Sequence, residues 1–174
     1  MPVLVMKFGG TSVANLDRIA RAAKRVGVEV AKGYDVIVIV SAMSGKTNEL
    51  VGWVNETSPL FDAREYDAVL ASGETVTAGL MALRLQEMNI PARSWHGWQV
   101  PLQTTANHSA ARIENIGTDN INAKFGEGMQ VAVVAGFQGI SDEGRITTLG
   151  RGGSDTTAVG FAAAFNAERC DIYT

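Results

Sequence analysis

With 174 residues, 46% of them hydrophobic and 19% charged, the chain is long enough to form one domain around a substantial core. Its formal net charge of -3 provides no basic footprint for nucleic acid or an anionic membrane, so neither is expected as a partner and a small molecule is. The single cysteine, Cys170, excludes an intrachain disulfide and a cysteine-type zinc site; with no basic, apolar leader over Met1–Met6 and no run of eighteen apolar residues, a cytoplasmic protein is expected.

The first predicted element is a buried strand over 3–7, which runs straight into Gly9-Gly10-Thr11-Ser12. A helix follows over about 15–32, where Ile19, Ala22, Ala23, Val26 and Val30 recur at helical spacing with Arg18, Arg21, Lys24 and Arg25 between them. The run Val36-Ile37-Val38-Ile39-Val40 predicts a strand over 35–40, and helices are expected over about 46–55 and 64–88. A strand over about 92–96 is followed by a polar stretch, Gln99 to Ala111, that reads as a loop or small hairpin. A helix over about 118–127, a strand over 130–136, a helix over about 154–166 and a strand over about 169–174 complete the pattern. Continuous β-branched strands alternating with amphipathic helices predict an α/β fold: a three-layer α/β/α sandwich with a mostly parallel central sheet. Ligands of such sheets collect at the carboxyl ends of the strands, where Lys7, Ser41, Gly136 and Thr174 lie.

Two turns are suited to anions. Arg151-Gly152-Gly153-Ser154-Asp155-Thr156-Thr157 joins a guanidinium and paired glycines to a helix start, whose backbone N–H groups and positive end favour carboxylate or phosphate. Lys7-Phe8-Gly9-Gly10-Thr11-Ser12 is the second. Val40-Ser41-Ala42-Met43-Ser44-Gly45-Lys46-Thr47 nearly spells a P-loop, but Val40 stands where the first glycine is required, and the strand over 130–136 ends without a magnesium-binding aspartate. Gly9-Gly10 lacks the spacing of a dinucleotide fingerprint. His96 and His108 have no metal-ligand partner at helical spacing and read as surface or hydrogen-bonding residues; Trp53, Trp95 and Trp98 read as packing residues, and Cys170 as a small core residue.

Five blocks, in order along the whole chain, resemble the aspartate kinases of the amino acid kinase family: Lys7-Phe8-Gly9-Gly10-Thr11-Ser12, Val40-Ser41-Ala42-Met43, Ser72-Gly73-Glu74, Ala135-Gly136-Phe137-Gln138-Gly139, and Thr148 through Ala158. The resemblance implies ATP-dependent phosphorylation of the L-aspartate side-chain carboxylate, the first step toward lysine, threonine and methionine. It identifies 1–174 with the N-terminal, amino-acid-binding part of the kinase domain. Most of the nucleotide-binding half and the regulatory ACT domains would lie beyond Thr174, so this span alone is expected to be inactive and, with an uncovered sheet edge, to associate as a homo-oligomer.

The chemistry fits these residue types. An aspartate carboxylate is ionised at neutral pH and needs no strong base to attack the γ-phosphate, so charge neutralisation and positioning carry the catalysis. Lys7 can hold the transferring phosphoryl oxygens. Gly9, Gly10, Thr11, Ser41, Gly153 and Thr174 are the expected nucleotide-phosphate contacts. For the substrate, Arg151 offers a planar fork to the α-carboxylate and Glu74 a partner for the ammonium; the resemblance implies these roles, adds Thr47 and Ser154 as substrate contacts, and makes Asp155 the residue that orients Lys7. Magnesium is expected to arrive with ATP, held by phosphates and waters and by no dedicated protein site. A glutamate, acetylglutamate or nucleotide monophosphate kinase of the same fold, and a non-catalytic amino-acid-binding module, are the alternatives. The Glu74 and Arg151 pair favours a free α-amino acid over an acetylated one, whose amine would give Glu74 nothing to neutralise.

Overall fold

The computed structural model covers residues 1–174. Its strands are β1 (Val3–Phe8), β2 (Asp35–Val40), β3 (Ala92–Trp95), β4 (Leu102–Thr104), β5 (Ile113–Ile116), β6 (Val131–Ala135), β7 (Gln138–Ile140), β8 (Ile146–Thr148) and β9 (Arg169–Tyr173). Its helices are α1 (Leu16–Ala31), α2 (Lys46–Thr57), α3 (Ala63–Glu87), α4 (Asp119–Gly126) and α5 (Gly153–Ala164), with a 3-10 turn over Gly10–Val13. Every element expected from the sequence is present with its ends within two residues of the expected positions.

The central sheet has the order β3-β6-β2-β1-β9, and every pairing in it is parallel. Side chains alternate across each strand, so β1 and β2 feed two cores. Leu4, Met6, Phe8, Val36, Val38 and Val40 pack against Ile19, Ala23 and Val26 of α1 and against Ala78, Met81 and Leu85 of α3. On the opposite face Val5, Ile37 and Ile39 meet Ile121 of α4 and Ala158 and Phe161 of α5. This is the expected three-layer sandwich. The 25-residue α3 is long and apolar enough by composition to cross a membrane, but here half of its most apolar window is buried against the sheet and neighbouring helices.

A second sheet, of order β5-β4-β7-β8, was not legible in the sequence. The Gln99–Ala111 stretch is more than a loop or local hairpin: β4 within it pairs antiparallel with β5 beyond it and parallel with β7, which forms an antiparallel hairpin with β8. These strands are three or four residues long and join through polar groups, including a buried 2.6 Å hydroxyl contact between Thr104 and Thr147. Trp53 and Trp98 correct a further expectation. They are 54% and 55% exposed, so neither is a core packing residue.

Candidate functional site

A cleft of about 670 Å³ opens at the carboxyl ends of β1, β2 and β6, and the structure brings all twelve residues expected there into its wall: Lys7, Gly9, Gly10, Thr11, Ser41, Thr47, Glu74, Arg151, Gly153, Ser154, Asp155 and Thr174. Alternation along β1 puts Lys7 on the same sheet face as Val5, beneath the start of α5. The Lys7 side chain is 9% exposed, and its Nζ lies 2.8 Å from Asp155 Oδ1 in the first turn of α5; Asp155 itself is 53% exposed. A buried ammonium so held is fixed in position while its remaining N–H bonds are free for an anion in the cleft. Gly9 permits this packing, since a Cβ there would sit 3.3 Å from both Lys7 Nζ and the Tyr173 carbonyl.

Backbone donors surround this ammonium. The chain reaches α5 through Gly152 at φ 72, a left-handed conformation that glycine adopts without a steric penalty, and α2 likewise starts from Gly45 at φ 82. Neither helix has a side-chain cap. The N–H groups of Thr47 and Asn48 in α2, of Gly153, Ser154 and Asp155 in α5, and of Gly10 and Thr11 in the 3-10 turn donate to no acceptor within the chain, and these residues line the cleft. Three such N-termini, with their positive dipole ends, make a strong anion site. Ser41 Oγ donates to Ser154 Oγ at 3.1 Å, tying the end of β2 to α5.

Other groups in the cleft wall are chemically different. Glu74, on α3, is 4% exposed; its Oε1 accepts the Ala42 N–H at 3.0 Å, and its Oε2 is buried with no hydrogen-bond partner. Burial pushes the carboxyl up to about 7, against an ordinary 4.5, and the Ala42 N–H opposes that shift only in part. Arg151 is exposed and pairs with no carboxylate of the chain. A buried anionic group with one open oxygen and an unpaired guanidinium thus share a wall with Thr47 and Ser154. Lys46, by contrast, is outside the cleft wall and forms a 3.0 Å pair with Glu49, so the P-loop-like stretch lacks the lysine placement of a P-loop. No group of three or more His, Cys, Asp or Glu side chains is gathered as a metal-binding set.

Sequence reasoning missed Asp67. It is fully buried on α3 and binds His108, Ser109 and Thr148, which lie far away in sequence. His108 is therefore a hydrogen-bonding residue, one of the two roles expected of it. Phe137 was also unforeseen as a cleft residue; it takes φ 72 where β6 turns into β7, and its carbonyl accepts the Leu149 N–H at 2.8 Å.

Comparison with known proteins agrees with this geometry. The model of the amino acid kinase family matches residues 2–174. The aspartokinase of Rickettsia conorii is 53% identical across the whole chain, which spans 44% of that protein. Among solved structures, aspartate kinase from Synechocystis superposes on 98% of the chain with a TM-score of 0.83 and 45% identity, the chain covering 28% of it. Escherichia coli aspartokinase III, solved in complex with aspartate and ADP, superposes on 99% of the chain with a TM-score of 0.87 and 26% identity, the chain covering 49% of it. The chain therefore spans less than half the length of these relatives, and by its fold, its matched span and its cleft it belongs to the amino acid kinase family.

Proposed function

We infer that this chain is the acceptor-binding part of an aspartate kinase, which transfers the γ-phosphoryl group of ATP to the side-chain carboxylate of L-aspartate. The observation that carries this reading is that one cleft wall holds two kinds of group. Lys7 and the free N–H groups of Gly10, Thr11 and Gly153 suit phosphates, while Glu74 with its open oxygen and the unpaired Arg151 suit an ammonium and a carboxylate. The names of the similar proteins and the ligands of the aspartokinase III structure support the same substrate pair.

In this reading Arg151 takes the α-carboxylate through its two-pronged fork and Glu74 takes the ammonium, with Thr47 and Ser154 completing the contacts. The side-chain carboxylate is then aimed at the phosphates. One of its oxygens forms a bond to the γ-phosphorus as the bridging oxygen–γ-phosphorus bond breaks, giving an acyl phosphate and ADP, and no proton need be removed. Lys7, oriented by Asp155, holds the equatorial oxygens where charge spreads in the transition state; Gly9, Gly10, Thr11, Ser41, Gly153 and Thr174 lie along the phosphates. Magnesium arriving with ATP would supply neutralisation of part of the triphosphate charge, and no side chain of this chain is assigned to hold it.

Adenine and ribose would be held by residues after Thr174, and the free edge of β9, where Ile172 is 44% exposed, is consistent with further chain or a second subunit covering it. A cytoplasmic homo-oligomer acting in lysine, threonine and methionine formation completes the proposal. The test is hydroxylamine trapping of the acyl phosphate made by the complete polypeptide carrying this chain, with aspartate, glutamate and N-acetylglutamate as acceptors. Hydroxamate with aspartate alone is expected; turnover only with another acceptor, or with none, would overturn the reading.

A further inference from the structure

Asp67 has no contact with the cleft, yet it joins the pieces that carry its proposed substrate groups. The residue is fully buried, and no lysine or arginine pairs with it. Donors from two other segments converge on its oxygens instead. Thr148 donates its N–H to Oδ2 at 3.0 Å and its hydroxyl to Oδ1 at 2.6 Å; the Ser109 N–H reaches both oxygens at 3.0 and 3.2 Å; His108 Nδ1 lies 2.6 Å from Oδ2. Because Asp67 offers acceptors there, the His108 ring donates from Nδ1.

Each partner leads to the site. Asp67 lies two turns before Glu74 on α3, so both project from one side of the helix. Thr148 is the last residue of β8, and three residues later comes Arg151, in a turn with no ion pair of its own. Ser109 lines the cleft at φ 66, and its segment is tied to the same strand end by the Ala111 N–H donated to the Thr148 carbonyl at 3.1 Å. Neither large hydrophobic core includes this corner: β8 is three residues long and gives no side chain to either, and the buried apolar residues Leu149 and Ala111 stand beside it.

We propose that the Asp67–His108 pair is a positioning device that fixes the Arg151 turn relative to Glu74, and so sets how well the cleft accepts an amino acid bearing both an ammonium and an α-carboxylate. The inference rests on the aspartate kinase reading and adds to it residues that touch no substrate. The phosphate groups have a further support: α5, which follows the Arg151 turn, packs on the central sheet through Ala158 and Phe161, and Lys7 is braced from α5. Loosening the clamp should therefore move aspartate recognition and spare the phosphoryl-transfer groups.

The experiment is steady-state kinetics of the complete kinase polypeptide carrying His108→Ala, His108→Gln or Thr148→Val, with thermal melts of each. Thr148→Val keeps the side-chain shape and removes one donor, and His108→Gln fills most of the space of a ring that is only 11% exposed, so neither of these two changes depends on emptying the core. Misplacing a binding group by about 1 Å costs up to about a hundredfold, so aspartate KM is expected to rise about tenfold to a hundredfold in His108→Ala and Thr148→Val, with ATP KM and kcat at saturating aspartate within about threefold. His108→Gln, which restores an N–H donor, is expected to recover much of the loss. Equal changes in aspartate KM, ATP KM and kcat that track the melting temperature, or an unchanged aspartate KM, would overturn the proposal while leaving the kinase reading standing. Absence of aspartate-dependent turnover in the unsubstituted enzyme would overturn both.

Discussion

The Ala42 N–H donates to Glu74 Oε1 at 3.0 Å, while Oε2 of the same carboxyl is buried with no hydrogen-bond partner. A single backbone bond cannot replace the hydration that the ionised group has lost, which is why burial raises it to about 7. A raised carboxyl favours the protonated form in the folded state. Its stabilising contribution is present below the ordinary 4.5 and is lost as pH rises through about 7, a fall on the order of 3 kcal/mol. Glu74→Gln keeps an acceptor for the Ala42 N–H and cannot ionise, so in the ligand-free protein it should be more stable than the parent at pH 8 and close to it at pH 4.5. Urea melts at the two pH values check this; a stability difference that is the same at both would remove Glu74 as the source.

In the proposed reading the same group gives aspartate binding a pH dependence of known sign. An ammonium needs the ionised carboxyl, so affinity for aspartate should weaken as pH falls below about 7. Losing one side of a desolvated charge pair costs roughly 2 to 5 kcal/mol, so Glu74→Gln should weaken aspartate binding by about thirtyfold or more and flatten the profile between pH 6 and 8. Calorimetric titrations across that range measure both effects.

Lys7 and Lys46 compete for the phosphate role. Lys7 is buried, braced by Asp155 and inside the cleft, whereas Lys46 pairs with Glu49 at the surface. Lys7→Ala is expected to lower kcat by about a hundredfold or more, and Lys46→Ala by only a few-fold. Single-turnover assays rank the two; the opposite order would return the P-loop-like stretch to consideration.

Arg151→Ala should reduce kcat/KM for aspartate by about thirtyfold to a few thousandfold, the range that follows from 2 to 5 kcal/mol at about 1.4 kcal/mol per tenfold. Arg151→Lys restores the charge and loses the planar fork, so partial recovery is expected. An unchanged aspartate kcat/KM in the alanine variant would take Arg151 out of the site.

Much of this could be seen in the sequence because its signals are local. The runs 36–40 and 131–135 are continuous, rich in β-branched residues and fully buried, so they announce central parallel strands, and Lys7 and Arg151 lie beside glycine turns of a kind suited to anions. The second sheet has no such signal. Gln138 at its centre donates its amide N–H to the Ala71 carbonyl and accepts the Gly97 N–H, bonds that span 67 and 41 residues. Asp67 was hidden for the same reason: its partners are 41, 42 and 81 residues away, and a lone acidic residue in an amphipathic helix otherwise reads as solvated surface. Seven-residue spacing from Glu74 was the one local sign that it faces inward.

The bare first turns of α2 and α5 carry a consequence for folding as well as for recognition. Most helices bring their own Ser, Thr, Asp or Asn to the N-terminus, as α1 does with Asn15 and α3 with Asp62, and a glycine in that place, as at Gly45 and Gly152, sacrifices roughly a few tenths of a kcal/mol. In the proposed reading an incoming anion is the missing cap. The substrate would then finish the secondary structure that grips it and link occupancy to folding: melting temperature should climb with ligand concentration by the ordinary mass-action law, and the empty cleft should be the least protected part of the fold in hydrogen exchange.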